Sequence, residues 1–210
     1  MVATTHASTS RPALSKTAGD VRISDLSNDS VIIRLHFTIN HLSRWLTPIH
    51  HLDRLDRAPF RGQPSIKDML IELRLEELFR FPMLHMIARE NNPNLDLIPP
   101  PVIDARQELI DEQRSALSVM AEFRRVRQNT CSVLRSLTNS GWNRMGTCRS
   151  EHDWQIRSLA EYLIAHDEDV LTRMDIALDA YGLREGVAEH GRAHLYELLK
   201  LVPVTTLHDK

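Results

Sequence analysis

The stretch LAEYLIAHDEDVLTRMDIAL, residues 159–178, decides the fold of this chain. Its apolar residues recur at three- and four-residue steps, the periodicity of an amphipathic helix. They are Leu159, Leu163, Val170, Met174 and Leu178. His166 lies on the same stripe, among core positions rather than on the solvent-facing side of the helix. The stretch therefore predicts a long helix, from about Trp154 to Tyr181, that turns one polar side chain toward the interior of a helical protein.

Three further segments show the same periodicity, and alternating stretches long enough for strands are missing. The predicted helices run from about Ser30 to His50, from Ile66 to Glu90 and from Ile103 to Thr138. Gly182 breaks the chain before a short amphipathic helix, about Glu185 to Leu201. The sequence thus predicts an all-α fold, a four-helix bundle in which function is built from side chains projecting between helices.

Local signals support the helix boundaries. Asn28, Asp29 or Ser30 is a candidate cap for the first helix. Ser65 offers its hydroxyl to the free amides of the second helix, and Asp68 adds the negative charge that a helix start favours. The third helix is predicted to be the longest, with a near-heptad stripe along one face. That stripe consists of Leu109, Ala116, Met120, Phe123, Thr130, Leu134 and Leu137.

Composition bounds the class of protein. The 210 residues are 42% hydrophobic, enough for one sizeable core. The formal net charge is -2, so no long-range field attracts nucleic acid. The one dense basic cluster, Arg124-Arg125-Val126-Arg127, is interpreted as a solvated helix face. We therefore expect no nucleic-acid partner. We expect no membrane partner either, because no run of 18 apolar residues exists.

The same considerations suggest an organisation and a compartment. Residues 1–20 are predicted to form a flexible tail, 26–181 the bundle, and 182–210 a helical appendage. The first 25 residues lack the continuous apolar region of a secretion signal. Only two cysteines are present, Cys131 and Cys148, which fits a reducing cytosol. We therefore expect a cytoplasmic protein.

Short motifs in two regions resemble the DinB/YfiT-like superfamily of bacterial four-helix-bundle metalloenzymes. In the second helix they are Ser65-Ile66-Lys67-Asp68-Met69-Leu70, Glu76-Glu77 and Phe81-Pro82-Met83-Leu84. In the third loop and fourth helix they are Trp142-x-Arg144-x-Gly146, Leu159-Ala160 and Ile164-Ala165-His166-Asp167. The likeness covers roughly Leu26 to Ala180, and it implies the DinB-like up-down-down-up bundle.

The resemblance also implies a divalent ion, zinc or nickel, held by one histidine on helix two and two histidines four residues apart on helix four. His166 matches the first helix-four ligand, but Val170 occupies the place of the second. Glu72 stands where the helix-two histidine is expected, and Cys148 replaces a histidine common after the Trp-x-Arg-x-Gly motif. Valine has no lone pair to donate, so the three-ligand arrangement is broken. We expect no cofactor, and a divalent cation if there is one.

Two interpretations of the remaining polar pair stay open. Glu72 and His166 could bind a metal, with Asp169, Glu76, His152 or Cys148 completing the shell. Alternatively, His166 is a neutral imidazole paired with Glu72, a structural contact. Five residues are candidates for lining a pocket, although Trp142 is interpreted first as a core anchor. They are Glu76, Trp142, Cys148, Asp169 and Val170. No catalytic residue is assigned.

Three function classes follow. The first and favoured one is a non-catalytic or ligand-binding protein of this fold, whose metal centre has been lost and whose partner is a small molecule. The second is a metal-dependent enzyme, a thiol S-transferase or hydrolase, that uses Glu72 and His166. The third is an interaction protein that acts as a homodimer, since members of the family often pair.

Overall fold

The computed structural model describes residues 22–100 and 104–183. Within these ranges the chain forms five α-helices, and the four long ones pack as a bundle in which α2 contacts α4 and α5, and α1 contacts the same two helices. The helices are α1 (Asn28–Leu46), α2 (Ile66–Arg89), α3 (Ala105–Gln113), α4 (Ala116–Arg135) and α5 (Ile156–Ala180). The predicted all-α bundle is confirmed. The predicted tail and C-terminal helix lie outside the described residues.

Hydroxyl caps start the first two helices. The hydroxyl of Ser27 accepts a hydrogen bond from the amide of Ser30, so α1 begins earlier than predicted. Ser65 caps α2 as predicted, and the structure adds a reciprocal contact: the Ser65 hydroxyl accepts from the Asp68 amide, and the Asp68 carboxylate accepts from the Ser65 amide. The helix they start continues through Pro82 to Arg89.

The single long third helix was a wrong prediction. Helix α3 ends at Gln113, Arg114 takes an extended conformation, and α4 begins after Ser115. The Ser115 hydroxyl accepts from the Ser118 amide at 3.3 Å, and this cap offers the backbone an alternative to a continuous helix. Leu109, predicted to lie on the core stripe, is 54% exposed.

A two-residue antiparallel ladder precedes α5, so this helix begins at Ile156 rather than at Trp154. It joins β1 (Met145–Gly146) to β2 (Trp154–Gln155). The loop that leads into β1 is held by Arg144, whose guanidinium donates to the carbonyls of Ala88 at 2.7 Å and Glu90 at 2.6 Å. Those carbonyls end α2, where a cation is favourable.

Gly146 is required by close packing. A Cβ atom there would lie 2.9 Å from Cγ1 of Ile87 and 3.0 Å from the methyl groups of Leu95. Trp142 packs into the same end of the core and is nearly fully buried. The Trp-x-Arg-x-Gly motif therefore acts structurally in this chain: it packs the loop and fastens it to the end of α2.

The core is divided into two apolar clusters, one toward each end of the bundle. Between them every long helix contributes a buried polar side chain, and we name this set the polar layer. Its members are Thr38 of α1, Glu77 of α2, Arg127 and Thr130 of α4, and Asp167 of α5. The prediction of a solvated basic face is wrong for Arg127, which is only 1% exposed, although Arg124 and Arg125 are exposed.

Candidate functional site

Helices α2 and α5 bring the two predicted polar residues together on the surface of the bundle. Nε2 of His166 lies 3.6 Å from Oε1 of Glu72. This separation is too long for a hydrogen bond. The His166 side chain is 17% exposed and that of Glu72 39%, so the pair lies at the border of the core.

A third residue, Arg173, completes this cluster. Its Nη1 and Nη2 donate to the two oxygens of Glu72 at 3.0 and 2.5 Å, and its Nε donates to Asp169 at 2.9 Å. The hydrogen bonds to Glu72 raise the pKa of the Arg173 guanidinium. Sequence reasoning missed Arg173, although it lies seven residues after His166 and four after Asp169, on the same face of a helix. We call Glu72, His166, Asp169 and Arg173 the seam cluster.

The geometry does not fit a three-ligand metal centre. Both oxygens of Glu72 accept from Arg173, and Val170 is fully buried in the apolar core. The Nδ1 of His166 is buried and has no hydrogen-bond partner among the residues described. Across residues 22–100 and 104–183, no group of three or more His, Cys, Asp or Glu side chains is arranged to hold a metal ion. The Arg173 guanidinium therefore occupies the carboxylate of Glu72, which a divalent ion would need as a ligand.

The next turn of the same interface contains a second arginine. Arg80 donates from Nε to Glu76 at 2.7 Å and from Nη1 to Glu151 at 2.7 Å. Three aromatic rings surround its guanidinium, with centroids at 4.6 to 5.1 Å, a cation–π arrangement. They belong to Phe79, Trp154 and Tyr162. Glu76, predicted to line a pocket, is thus engaged by a buried cation.

The remaining predicted residues lie elsewhere. Cys148 contacts Asp96 and Ser150, with its Sγ 3.6 and 3.3 Å from their oxygens. The backbone amide of Arg149 and the hydroxyl of Ser150 lower the pKa of Asp96 to about 2. Trp142 is buried in the core. The structure brings Asp169 into the seam cluster, whereas Cys148 contacts Asp96 in the loop after α2.

An open groove of about 360 Å³ runs along α2 beside the seam cluster. Its lining is mostly apolar and carries carboxylates at one-turn spacing. The lining residues are Asp68, Ile71, Glu72, Leu75, Glu76 and Phe79. The volume falls within the range typical of small-molecule sites, which are mainly apolar with a few polar groups.

None of the helices in the described ranges is long and apolar enough to cross a membrane. No protein-family model and no curated protein matches the chain. Among solved structures, it is similar to YfiT from Bacillus subtilis, which is described as a probable metal-dependent hydrolase with an unusual four-helix bundle topology. The two share 15% sequence identity and a TM-score of 0.63 over 82% of this chain and 93% of that one. At this identity the likeness shows the fold alone, and the predicted four-helix bundle with a YfiT-like fold is confirmed.

Proposed function

We propose that this protein is a ligand-binding, non-catalytic member of the DinB-like fold in which a salt bridge has replaced the three-histidine metal site. The observation that supports the proposal is the bidentate salt bridge in which Arg173 donates one hydrogen bond to each carboxylate oxygen of Glu72. Paired, planar contacts between arginine and a carboxylate are among the stronger polar contacts in proteins. Arg173 supplies at this carboxylate the positive charge that a divalent ion would supply in the three-histidine site.

Metal binding at this position would have several costs. The ion would have to displace Arg173 from Glu72 and leave that guanidinium close to a second positive charge. It would then find one imidazole and one carboxylate, whereas a catalytic zinc site has three protein ligands. Val170 cannot become the third, because its side chain has no donor atom and is packed in the core.

The groove along α2 is the proposed ligand site. Ile71, Leu75 and Phe79 follow one another at one-turn intervals and are each partly buried. Glu72 and Glu76 lie along the same groove, and their partners Arg173 and Arg80 compensate their charge. A small, largely apolar molecule suits this lining.

Elemental analysis tests the loss of the metal site. The protein is purified without a histidine tag, equilibrated with zinc, nickel or manganese and desalted. We expect the wild type to retain far less than one ion per chain. A stoichiometric ion that is lost in both His166→Ala and Glu72→Ala would overturn the proposal.

Binding of the uncharged dye Nile red tests the groove. We expect its fluorescence to rise with wild-type protein and to fall to the buffer value with Leu75→Lys, which places a charge on the apolar lining. Ile176→Lys is the matched control, because Ile176 is 66% exposed on α5 and is not a lining residue. Equal fluorescence in the two variants would contradict binding at this groove.

The second candidate is a metal-dependent enzyme, a thiol S-transferase or hydrolase. Its support is the fold shared with YfiT and the His166 imidazole beside Glu72. This candidate requires Arg173 to leave Glu72 when the metal arrives. It therefore predicts that the Arg173→Met protein binds the metal more tightly than the wild type does. The preferred function predicts no stoichiometric metal site in the wild type or in Arg173→Met.

A further inference from the structure

The polar layer at the centre of the bundle holds two carboxylates around one arginine. The Nε of Arg127 donates to Oε2 of Glu77 at 2.7 Å, and its two terminal nitrogens donate to the two oxygens of Asp167. Nη1 also donates to the carbonyl of Leu35 at 3.2 Å. Thr38 donates to Asp167 at 2.6 Å. The donors of Arg127 are thus all directed at buried acceptors.

The charges of this layer do not balance if both carboxyl groups are ionised. In the described ranges, Arg127 is the only cationic side chain within ion-pair distance of Glu77 or Asp167. Two anions and one cation leave a net charge of −1 in a region where all three side chains are at most 3% exposed. An uncompensated buried charge is costly, and a carboxyl group in such a place takes up a proton instead.

The groups that face Glu77 do not supply the missing positive charge. Helix α4 contributes Arg127, Thr130 and Cys131, and burial raises the pKa of the Cys131 thiol to about 11, so it stays neutral. Helix α5 contributes Asp167, a second acid. Helix α1 contributes the Leu35 carbonyl and the Thr38 hydroxyl to the layer, both uncharged. Its Arg34 lines a small cavity together with Asp167, but that guanidinium is paired with Glu168.

We infer that Glu77 carries a proton in the folded protein at neutral pH while Asp167 is the ionised partner of Arg127, so that the bundle takes up one proton at its centre when it folds.

The two carboxyl groups differ in their hydrogen-bond partners, and this difference selects Glu77. Asp167 accepts from two nitrogens of Arg127 and from Thr38, three donors that favour the ionised form. Glu77 has Arg127 on one oxygen and the Thr130 hydroxyl on the other. That hydroxyl also lies 3.5 Å from the carbonyl of Val126. A protonated Glu77 can therefore donate to Thr130, which in turn donates to the carbonyl.

Burial acts in the same direction, because it raises the pKa of Glu77 above the ordinary value. Above the ordinary pKa of about 4.3, the unfolded chain releases the proton while the folded chain keeps it. The contribution to stability is therefore complete below the unfolded pKa and declines as the pH rises through the folded pKa. Over that window the folding equilibrium constant falls tenfold per pH unit for one proton.

The test compares Glu77→Gln with the wild type in urea unfolding between pH 5 and pH 9. Glutamine keeps an oxygen for Arg127 and an N–H for Thr130, so it imitates the protonated acid. We expect the variant to fold, and the ratio of wild-type to variant folding constants to fall about tenfold per pH unit up to the folded pKa. Glu108→Gln, at an exposed position of α3, is the control and should show no such trend.

Infrared spectroscopy of the wild type at neutral pH gives an independent readout. We expect the carbonyl stretch of a protonated carboxylic acid, and its loss in Glu77→Gln. A Glu77→Gln protein that does not fold at any pH would overturn the inference, because it would show that Arg127 needs the ionised form of Glu77. The absence of the infrared band, or a pH-independent ratio, would also overturn it.

Discussion

Two arginine–carboxylate clusters in this bundle use the same chemistry at different depths. In the polar layer Arg127 joins Glu77 and Asp167 with every partner at most 3% exposed. In the seam cluster Arg173 joins Glu72 and Asp169, and its side chain is 35% exposed. Their hydrogen-bond lengths overlap, so geometry alone does not distinguish them.

Burial gives the two clusters different roles. Near the surface, solvent screens an ion pair, and such pairs contribute about 0–1 kcal/mol. In the interior the same pair has lost its hydration, and removal of one partner leaves a charge that nothing solvates. Loss of a partner in the polar layer is therefore expected to cost more stability than loss of a partner in the seam cluster.

The largest expected effect comes from Arg127→Met, which leaves Asp167 buried without its cation and Glu77 without a hydrogen-bond donor. We expect a loss of about 3–5 kcal/mol in the free energy of unfolding, the cost typical of breaking a buried pair. Arg124→Met, at an exposed position one turn earlier on α4, is the control and should change stability by less than about 0.5 kcal/mol. Urea unfolding at pH 7 measures both. Equal losses in the two variants would show that the buried contacts of Arg127 add no stability of their own.

Thr130→Val is a smaller test of the polar layer. The substitution keeps the shape of the side chain but removes the hydroxyl that contacts Oε1 of Glu77. We expect a loss of about 1–3 kcal/mol in the free energy of unfolding. The matched control is Thr172→Val on α5, where the exposed hydroxyl donates to a backbone carbonyl. A control loss as large as that of Thr130→Val would show that the layer adds nothing specific.

The sequence predicted the apolar part of this fold well because helical periodicity reports burial directly. The apolar stripe predicted for residues 159–178 is buried throughout, and the Ser65 cap forms as expected. Its members are Leu159, Leu163, Val170, Met174 and Leu178. Helix boundaries were less accurate where a serine could cap a new helix, as Ser115 does. There a side-chain hydrogen bond competes with the continuation of the helix, and periodicity does not register the competition.

The polar layer escaped prediction because a charged residue on an apolar stripe is usually interpreted as a border position. Yet the signal was present: Arg127 lies between Phe123 and Thr130 at helical spacing, and Asp167 between Leu163 and Val170. The sequence of one helix does not indicate which residue of another helix pairs with its buried charge. Burial of Arg127 is favourable only because α2 and α5 each place a carboxylate at the same level. Arg173 was missed for the same reason, since its partner Glu72 is 101 residues away.

The smallest expected effect is the coupling between Glu72 and Arg173, measured by a double-mutant cycle with Glu72→Gln and Arg173→Met. We expect a coupling of at most about 1 kcal/mol in the free energy of unfolding at low salt, because both side chains are more than a third exposed. In 1 M salt the screening length falls to about 3 Å, and the coupling should approach zero. Arg173→Lys is the comparison, because it keeps the charge but loses the paired geometry.

The salt dependence of that cycle decides between the two views of the seam cluster. If Arg173 and Glu72 are a solvent-screened pair beside a ligand groove, the coupling disappears with salt while the effect of Arg127→Met persists. A coupling above about 2 kcal/mol that resists 1 M salt would instead behave like a buried pair. In that case the seam, like the polar layer, would hold α2 and α5 together, and its arginine would serve the stability of the bundle rather than the groove.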